Sequence, residues 1–162
     1  MAGDPAQNAP RQRPAGQRPI FRMTTDPSLA GYPVVVTQQV LWGDMDAHGH
    51  INNVVYYRYM EEAEHSYLRS IGLSVMMDMP DGTVIGWPRV RTSCAYEAPA
   101  RYEDEIDIHV TVSRKGVKSL TFNFEFWRGE TRLAYGTLKT VCCIVGHNAP
   151  LVSIAIPPDI DA

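Results

Sequence analysis

The clearest pattern in the chain lies between residues 53 and 71. Tyr56, Met60, Ala63, Tyr67 and Ile71 recur every three or four positions, which marks the apolar stripe of a helix. Arg58, Glu61, Glu62, His65 and Arg69 fall at offsets 0, 3, 4, 7 and 11, which draws a polar face beside it. The spacing predicts a helix over Asn53 to Ile71, about 28 Å long at 1.5 Å per residue. Asn52 or Asn53 caps its start, because an Asn oxygen accepts from the unpaired N–H groups of a first turn. Gly72 stands where a left-handed C-terminal cap is expected.

Elsewhere the period changes from helical to alternating. The run Val34 to Trp42 is β-branched and strand-like. Ile106, Ile108, Val110 and Val112 alternate with polar residues, as do Leu120, Phe122, Phe124 and Phe126, so each run has one face to bury. Val84 to Glu97 reads as a strand in which Pro88 marks a bend or bulge, and Leu133 to Val145 as another. Arg114-Lys115-Gly116 and Arg128-Gly129 read as hairpin turns. The order is therefore one strand, one long helix, then about four strands. An apolar helix stripe and an apolar sheet face must cover each other. This predicts an α+β fold, an antiparallel sheet of about five strands wrapped around one helix. Such a sheet leaves an edge strand exposed, which favours pairing with a second subunit.

Composition adds boundaries to this picture. Residues 1–31 are rich in Pro, Gly, Gln and Ala with few apolar side chains, and read as a tail outside a domain spanning 32–162. Arg11, Arg13, Arg18 and Arg22 make the tail basic. The 162 residues carry a net charge of -3, which argues against bulk electrostatic binding to nucleic acid. Cys94, Cys142 and Cys143 include an adjacent pair on a strand-like run, whose side chains point to opposite faces. They read as small buried residues of a reducing compartment. No apolar run reaches the ~18 residues of a membrane span, and no signal-type apolar region opens the chain. The expectation is a cytoplasmic protein without a membrane partner.

Candidate chemistry is concentrated in one segment. Asp44, Asp46, His48 and His50 are followed by Asn52 and Asn53, where a strand ends and a helix begins. A helix start offers N–H donors and a partial positive charge, which suit an oxyanion developing during attack on a carbonyl. A carboxylate just upstream can act as general base on water or attack the carbonyl itself. A plain capping loop explains the same residues, since Asp and Asn favour turns. Spacing by two would put the acids and imidazoles on one face of an extended strand. Gly49 and the helix start interrupt any such strand, and no HExxH pattern occurs. No metal or other cofactor is expected.

The segment Leu41 to Asn53, leading into Tyr56 to Ala63, resembles the signature of the 4-hydroxybenzoyl-CoA thioesterase family. Tyr96 to Glu105 is similar to that family's link between two central strands. Ser113-Arg114-Lys115-Gly116 before an aromatic strand is a third match. The resemblance covers about residues 33–146 and implies the hotdog fold and cleavage of acyl-CoA thioesters. It implies that Asp46 is the catalytic carboxylate and Asp44 a supporting one. It likewise implies that the Asn53 N–H polarises the thioester carbonyl, and that Gly49 turns the chain into the helix. Asn52 supports the helix start, and His50 is either a catalytic helper or a loop hydrogen-bonder. Arg114, Lys115 and Lys118 would dock the phosphates of coenzyme A, sometimes from the neighbouring subunit, or else form a solvated turn. Arg89, Arg91 and Arg101 are weaker candidates. Family members form dimers that often pair into tetramers. Asn52, Asn53 and His50 depart from the 4-hydroxybenzoyl enzyme's own apolar and aromatic residues, which bears on acyl specificity. Two other readings are a thioesterase acting on acyl-carrier protein and a non-catalytic acyl-CoA-binding protein.

Overall fold

The computed structural model describes residues 21–24, 34–146 and 150–161. In chain order the elements are β1 (Phe21–Thr24), β2 (Val34–Gln39), a 3-10 turn (Trp42–Asp44), α1 (Asn53–Ser70), β3 (Met76–Asp78), β4 (Val84–Gly86) and β5 (Arg89–Tyr96). β6 (Glu105–Lys115), β7 (Ser119–Arg128), β8 (Thr131–Val141), β9 (Cys143–Ile144), β10 (Val152–Ser153) and a last turn of helix, α2 (Pro158–Asp161), follow. The large sheet has the order β1-β2-β6-β7-β8-β5 and the small one β10-β9-β4-β3; the described pairings are antiparallel. β1 lies within the stretch whose composition reads as a tail, paired to Val35–Gln38. The rest of residues 1–31 lies outside the described residues.

The helix forms where the period places it. Asn52 is the N-cap, with its side chain accepting from the Val54 N–H. The stop is chemical as well: Gly72 takes φ 77°, and the Leu73 N–H returns to the Leu68 carbonyl at 2.8 Å, the reversal that glycine permits after a last helical turn. Tyr56, Met60 and Ala63 are buried against the sheet face made by Val34, Val36, Ile108, Val110, Phe122, Phe124, Phe126 and Leu138. Ile71 leaves the stripe: it is the C-cap residue and half exposed. Glu64 joins the buried side although its type predicts exposure. It has no accessible surface, and its Oε2 accepts from Arg89 Nη2 at 2.6 Å.

Two runs that alternate like single strands are each broken into two. Val84 to Glu97 becomes β4 in the small sheet and β5 in the large one, separated at Trp87-Pro88. Proline has no N–H for a ladder, and its carbonyl instead accepts from the Val141 N–H at 3.1 Å. Leu133 to Val145 divides at Cys142, whose N–H goes to the Lys118 carbonyl at 2.7 Å. All three cysteines are free thiols. Among the described residues no helix is long and apolar enough to cross a membrane.

Helix and sheet are in tight contact at Gly136 of β8. A Cβ there would stand 2.5 Å from Met60 Sδ and 3.0 Å from the Ser93 carbonyl oxygen. Gly136→Ala should therefore lower stability by about 1–3 kcal/mol through overpacking, read as a fall in the denaturation midpoint; an unchanged midpoint would show that Met60 moves aside at no cost.

Candidate active site

The segment between β2 and α1 is tied down before it presents any side chain. Asp44 is the anchor, with 2% of its surface exposed. Its carboxylate accepts from the Tyr59 hydroxyl at 2.7 Å, the Leu41 N–H at 2.9 Å and the Arg58 guanidinium. Burial, followed by the bond to Asp44, raises the Tyr59 phenol well above its ordinary range, so it serves as a donor. The Asp44 carbonyl accepts from the Asn52 N–H, and the Ile51 N–H reaches the Ala100 carbonyl, both at 2.9 Å. Within this frame Asp46 donates its N–H to the His50 carbonyl at 2.8 Å, and Gly49 N–H returns to the Asp46 carbonyl at 3.0 Å. Gly49 has φ 72°, in the left-handed region that favours glycine.

The result is a tight turn that sets Asp46 at the start of α1. Asp46, His50 and Asn53 line a cavity of about 340 Å³ with Tyr56, Tyr96 and the segment Glu97-Ala98-Pro99. Asp46 Oδ1 accepts from the His48 N–H at 2.8 Å, and its side chain is 30% exposed. The Asn52 cap serves Val54 rather than Asn53, and Asn53 opens the helix, where N–H groups have no intrahelical acceptor. Asp46, His50 and Asn53 are thus brought together. Gly49 shapes the turn, Asn52 caps the helix, and Asp44 braces both from behind.

The remaining wall is electrically quiet. Burial pushes the Tyr56 phenol up to about 12 and the Cys94 thiol up to about 11, and raises Tyr96 further. All three remain protonated at neutral pH. Tyr56 packs against Tyr96 and Phe126 with ring centroids 5.2 and 5.1 Å apart. Glu97 is a second carboxylate in the cavity, but Arg132 holds both its oxygens at 2.8 and 2.7 Å, and that bonding lowers its carboxyl below the usual range. Asp46 has no guanidinium or ammonium partner among the described residues. Tyr56, Tyr96 and Glu97 also line the cavity although the sequence does not single them out; the segments that begin at Tyr56 and at Tyr96 carry their signal.

The basic hairpin lies elsewhere. Lys115 lines a second cavity with Leu68 and Ile71 at the C-terminal end of α1. Lys118 Nζ donates to the Ser153 carbonyl and hydroxyl, both at 3.3 Å. Within one chain Arg114, Lys115 and Lys118 are therefore at the end of the helix opposite Asp46.

This architecture and this loop define a known class. Residues 40–162 match the family model described as the thioesterase-like superfamily, and the chain belongs to that family. A protein of Aquifex aeolicus (strain VF5) named "Putative esterase" is 30% identical over 124 residues, which is 75% of this chain and 91% of that protein. A gentisyl-coenzyme A thioesterase structure superposes with a TM-score of 0.69 at 27% identity, covering 79% of this chain and 99% of that one. The structure of a 1,4-dihydroxy-2-naphthoyl-CoA thioesterase from Synechocystis, 22% identical with a TM-score of 0.65 over 76% of this chain and 88% of that one, shares the hotdog fold. Family membership supports thioester hydrolysis in general.

Two substitutions test the frame. Asp44→Ala should cost about 2–4 kcal/mol, because buried donors lose a charged acceptor. Asn52→Ala should cost about 1 kcal/mol, the usual value of a helix cap. Both are read by denaturant titration, and equal effects would mean that Asp44 is no more than another surface carboxylate.

Proposed function

We propose that the protein hydrolyses acyl-CoA thioesters to the free acid and coenzyme A. The observation that carries this reading is one cavity lined by both the Asp46 carboxylate and the first residue of α1. With the thioester carbonyl directed at the Asn53 N–H, the developing oxyanion meets a fixed donor at the positive end of a helix dipole. Asp46 then activates water as general base, or attacks to give a mixed anhydride that water opens. The thiolate leaves with little acid assistance, since thiols have pKa near 8.5. His50 lines the same cavity and orients the incoming groups. Glu97, clamped by Arg132, is a poor alternative base.

Coenzyme A binding by Arg114, Lys115 and Lys118 requires a second copy in this reading, because one chain holds them far from its own Asp46. The large sheet supports such a copy. β5 pairs with β8 on one side and is the terminal strand of the described order on the other, with Val90 and Tyr96 exposed. Arg89 lies in register with Thr140 and so with Leu120 at the basic hairpin, whereas Tyr96 lies beside Asn53. Antiparallel pairing of two β5 strands about a two-fold axis brings the partner's hairpin end toward the Asp46 end. The acyl group then runs between α1 and the neighbouring subunit, in a homodimer that can pair further into a tetramer.

The test is thiol release from a panel of acyl-CoAs by wild type and Asp46→Asn. Turnover should fall by ~10²-fold or more on loss of the acid–base group. Equal rates would make Asp46 structural. No turnover of any panel member would favour an acyl-carrier-protein substrate or binding alone. Light scattering should give a dimer or tetramer, and a monomer would remove the intersubunit docking site.

A further inference from the structure

One wall of the Asp46 cavity lies outside the helix and the strands. β5 ends at Tyr96 and β6 begins at Glu105, and Glu97, Ala98 and Pro99 line the cavity between them in sequence. Glu103 in the same stretch takes φ 68°, the one positive φ outside glycine among the described residues. Such a conformation persists where the surroundings impose it. The surroundings here are the β7–β8 hairpin, none of whose residues lines the cavity. The Glu97 and Ala98 N–H groups both return to the Leu133 carbonyl, at 2.8 and 3.1 Å. Arg132 of β8 holds Glu97 by both oxygens, and its guanidinium is itself set over the Tyr135 ring, 4.9 Å from the centroid. Arg128, the last residue of β7, closes the stretch: its Nη1 donates to the Pro99 carbonyl at 3.2 Å and to Asp104 Oδ2 at 2.7 Å.

The other side of residues 97–104 is tied to the segment that carries Asp46. The Ile51 N–H reaches the Ala100 carbonyl and the Val40 N–H the Asp104 carbonyl, both at 2.9 Å. The Tyr102 N–H lies 3.1 Å from Met45 Sδ. This stretch is therefore a spacer between the hairpin and the strand-to-helix turn. Arg128 and Arg132 are 38% and 36% exposed, and ion pairs so open to water contribute little to stability. What a guanidinium fork supplies in such a place is fixed geometry.

We propose that Arg128 and Arg132 are positioning residues of the thioester site: from outside the cavity they hold its Glu97–Pro99 wall in place and so fix how closely it fits an acyl chain. This rests on the reading that the cavity takes the acyl group of an acyl-CoA. Binding is therefore measured with the thioethers ethyl-CoA and hexyl-CoA, which cannot be hydrolysed, and thiol release from hexanoyl-CoA is followed beside it. Calorimetry on the wild type should show hexyl-CoA bound at least about tenfold more tightly than ethyl-CoA, as added methylenes meet the walls. Arg128→Met and Arg132→Met should each weaken hexyl-CoA about 4–15-fold, the contact of one or two methylenes, and change ethyl-CoA by less than about twofold. Arg132 acts through Glu97, so in a Glu97→Ala background Arg132→Met should have no further effect. Denaturation midpoints of the single variants should stay near that of the wild type. Selective binding without thiol release would uphold the wall and sink only the hydrolytic reading. Equal binding of the two thioethers, binding of neither, equal losses for both in the variants, or an undiminished effect of Arg132→Met without Glu97 would each overturn the proposal. So would a lowered midpoint with an unchanged ratio of affinities, the mark of a purely structural pair.

Discussion

The candidate site depends on the burial of one carboxylate. Asp44 gathers a phenol from α1, a guanidinium from the same helix and a backbone N–H from the end of the β2 segment. Removed from water, a carboxylate must be bonded from several sides. Meeting that demand locks the strand exit, the turn and the first two turns of the helix into one unit. Asp46, two residues on, is positioned as a consequence. The pair shows how similar residues diverge by environment: one is sunk among donors, and the other opens on a cavity.

Around this unit the fold is organised by a single long helix lying on a curved antiparallel sheet. Aromatic side chains of β7 supply the floor, and Gly136 lets the helix come close. The same arrangement separates two ends. The helix N-terminus, with its positive dipole, faces the carboxylate of Asp46. The helix C-terminus lies near the basic hairpin, Leu73 and the C-terminal segment. A reaction that uses both ends calls for more than one chain, and the open edge of β5 offers the means of joining them.

Much of this was legible in the chain. The helix was readable from residues 53 to 71 because its stripe repeats over about four turns and both caps are chemically explicit: an Asn that accepts and a Gly that turns. β6 and β7 were readable because alternation with a wide apolar residue at every second position has no other use. The candidate loop was readable because acids and imidazoles crowd a strand-to-helix junction, and its resemblance to a thioesterase signature covered most of the domain. Less legible were the breaks at Trp87-Pro88 and Cys142. Pro88 marks a bend but not a change of sheet, and nothing marks Cys142; pairing with different sheets makes both breaks.

What the sequence determined by itself was local: which segments are helix or strand, where the helix begins and ends, and which loop gathers acids and imidazoles. These follow from periodicity and capping, which act within a few residues. Only the tertiary structure decided which neighbours meet. Glu64 looks like a solvent-facing acid until Arg89, 25 residues later, folds over it. Glu97 looks as available as Asp46 until Arg132 takes both its oxygens. Arg114, Lys115 and Lys118 read only as a basic turn until β6 carries that turn to the end of the helix far from Asp46. Burial and charge pairing depend on distances in space, and no spacing along the chain encodes those.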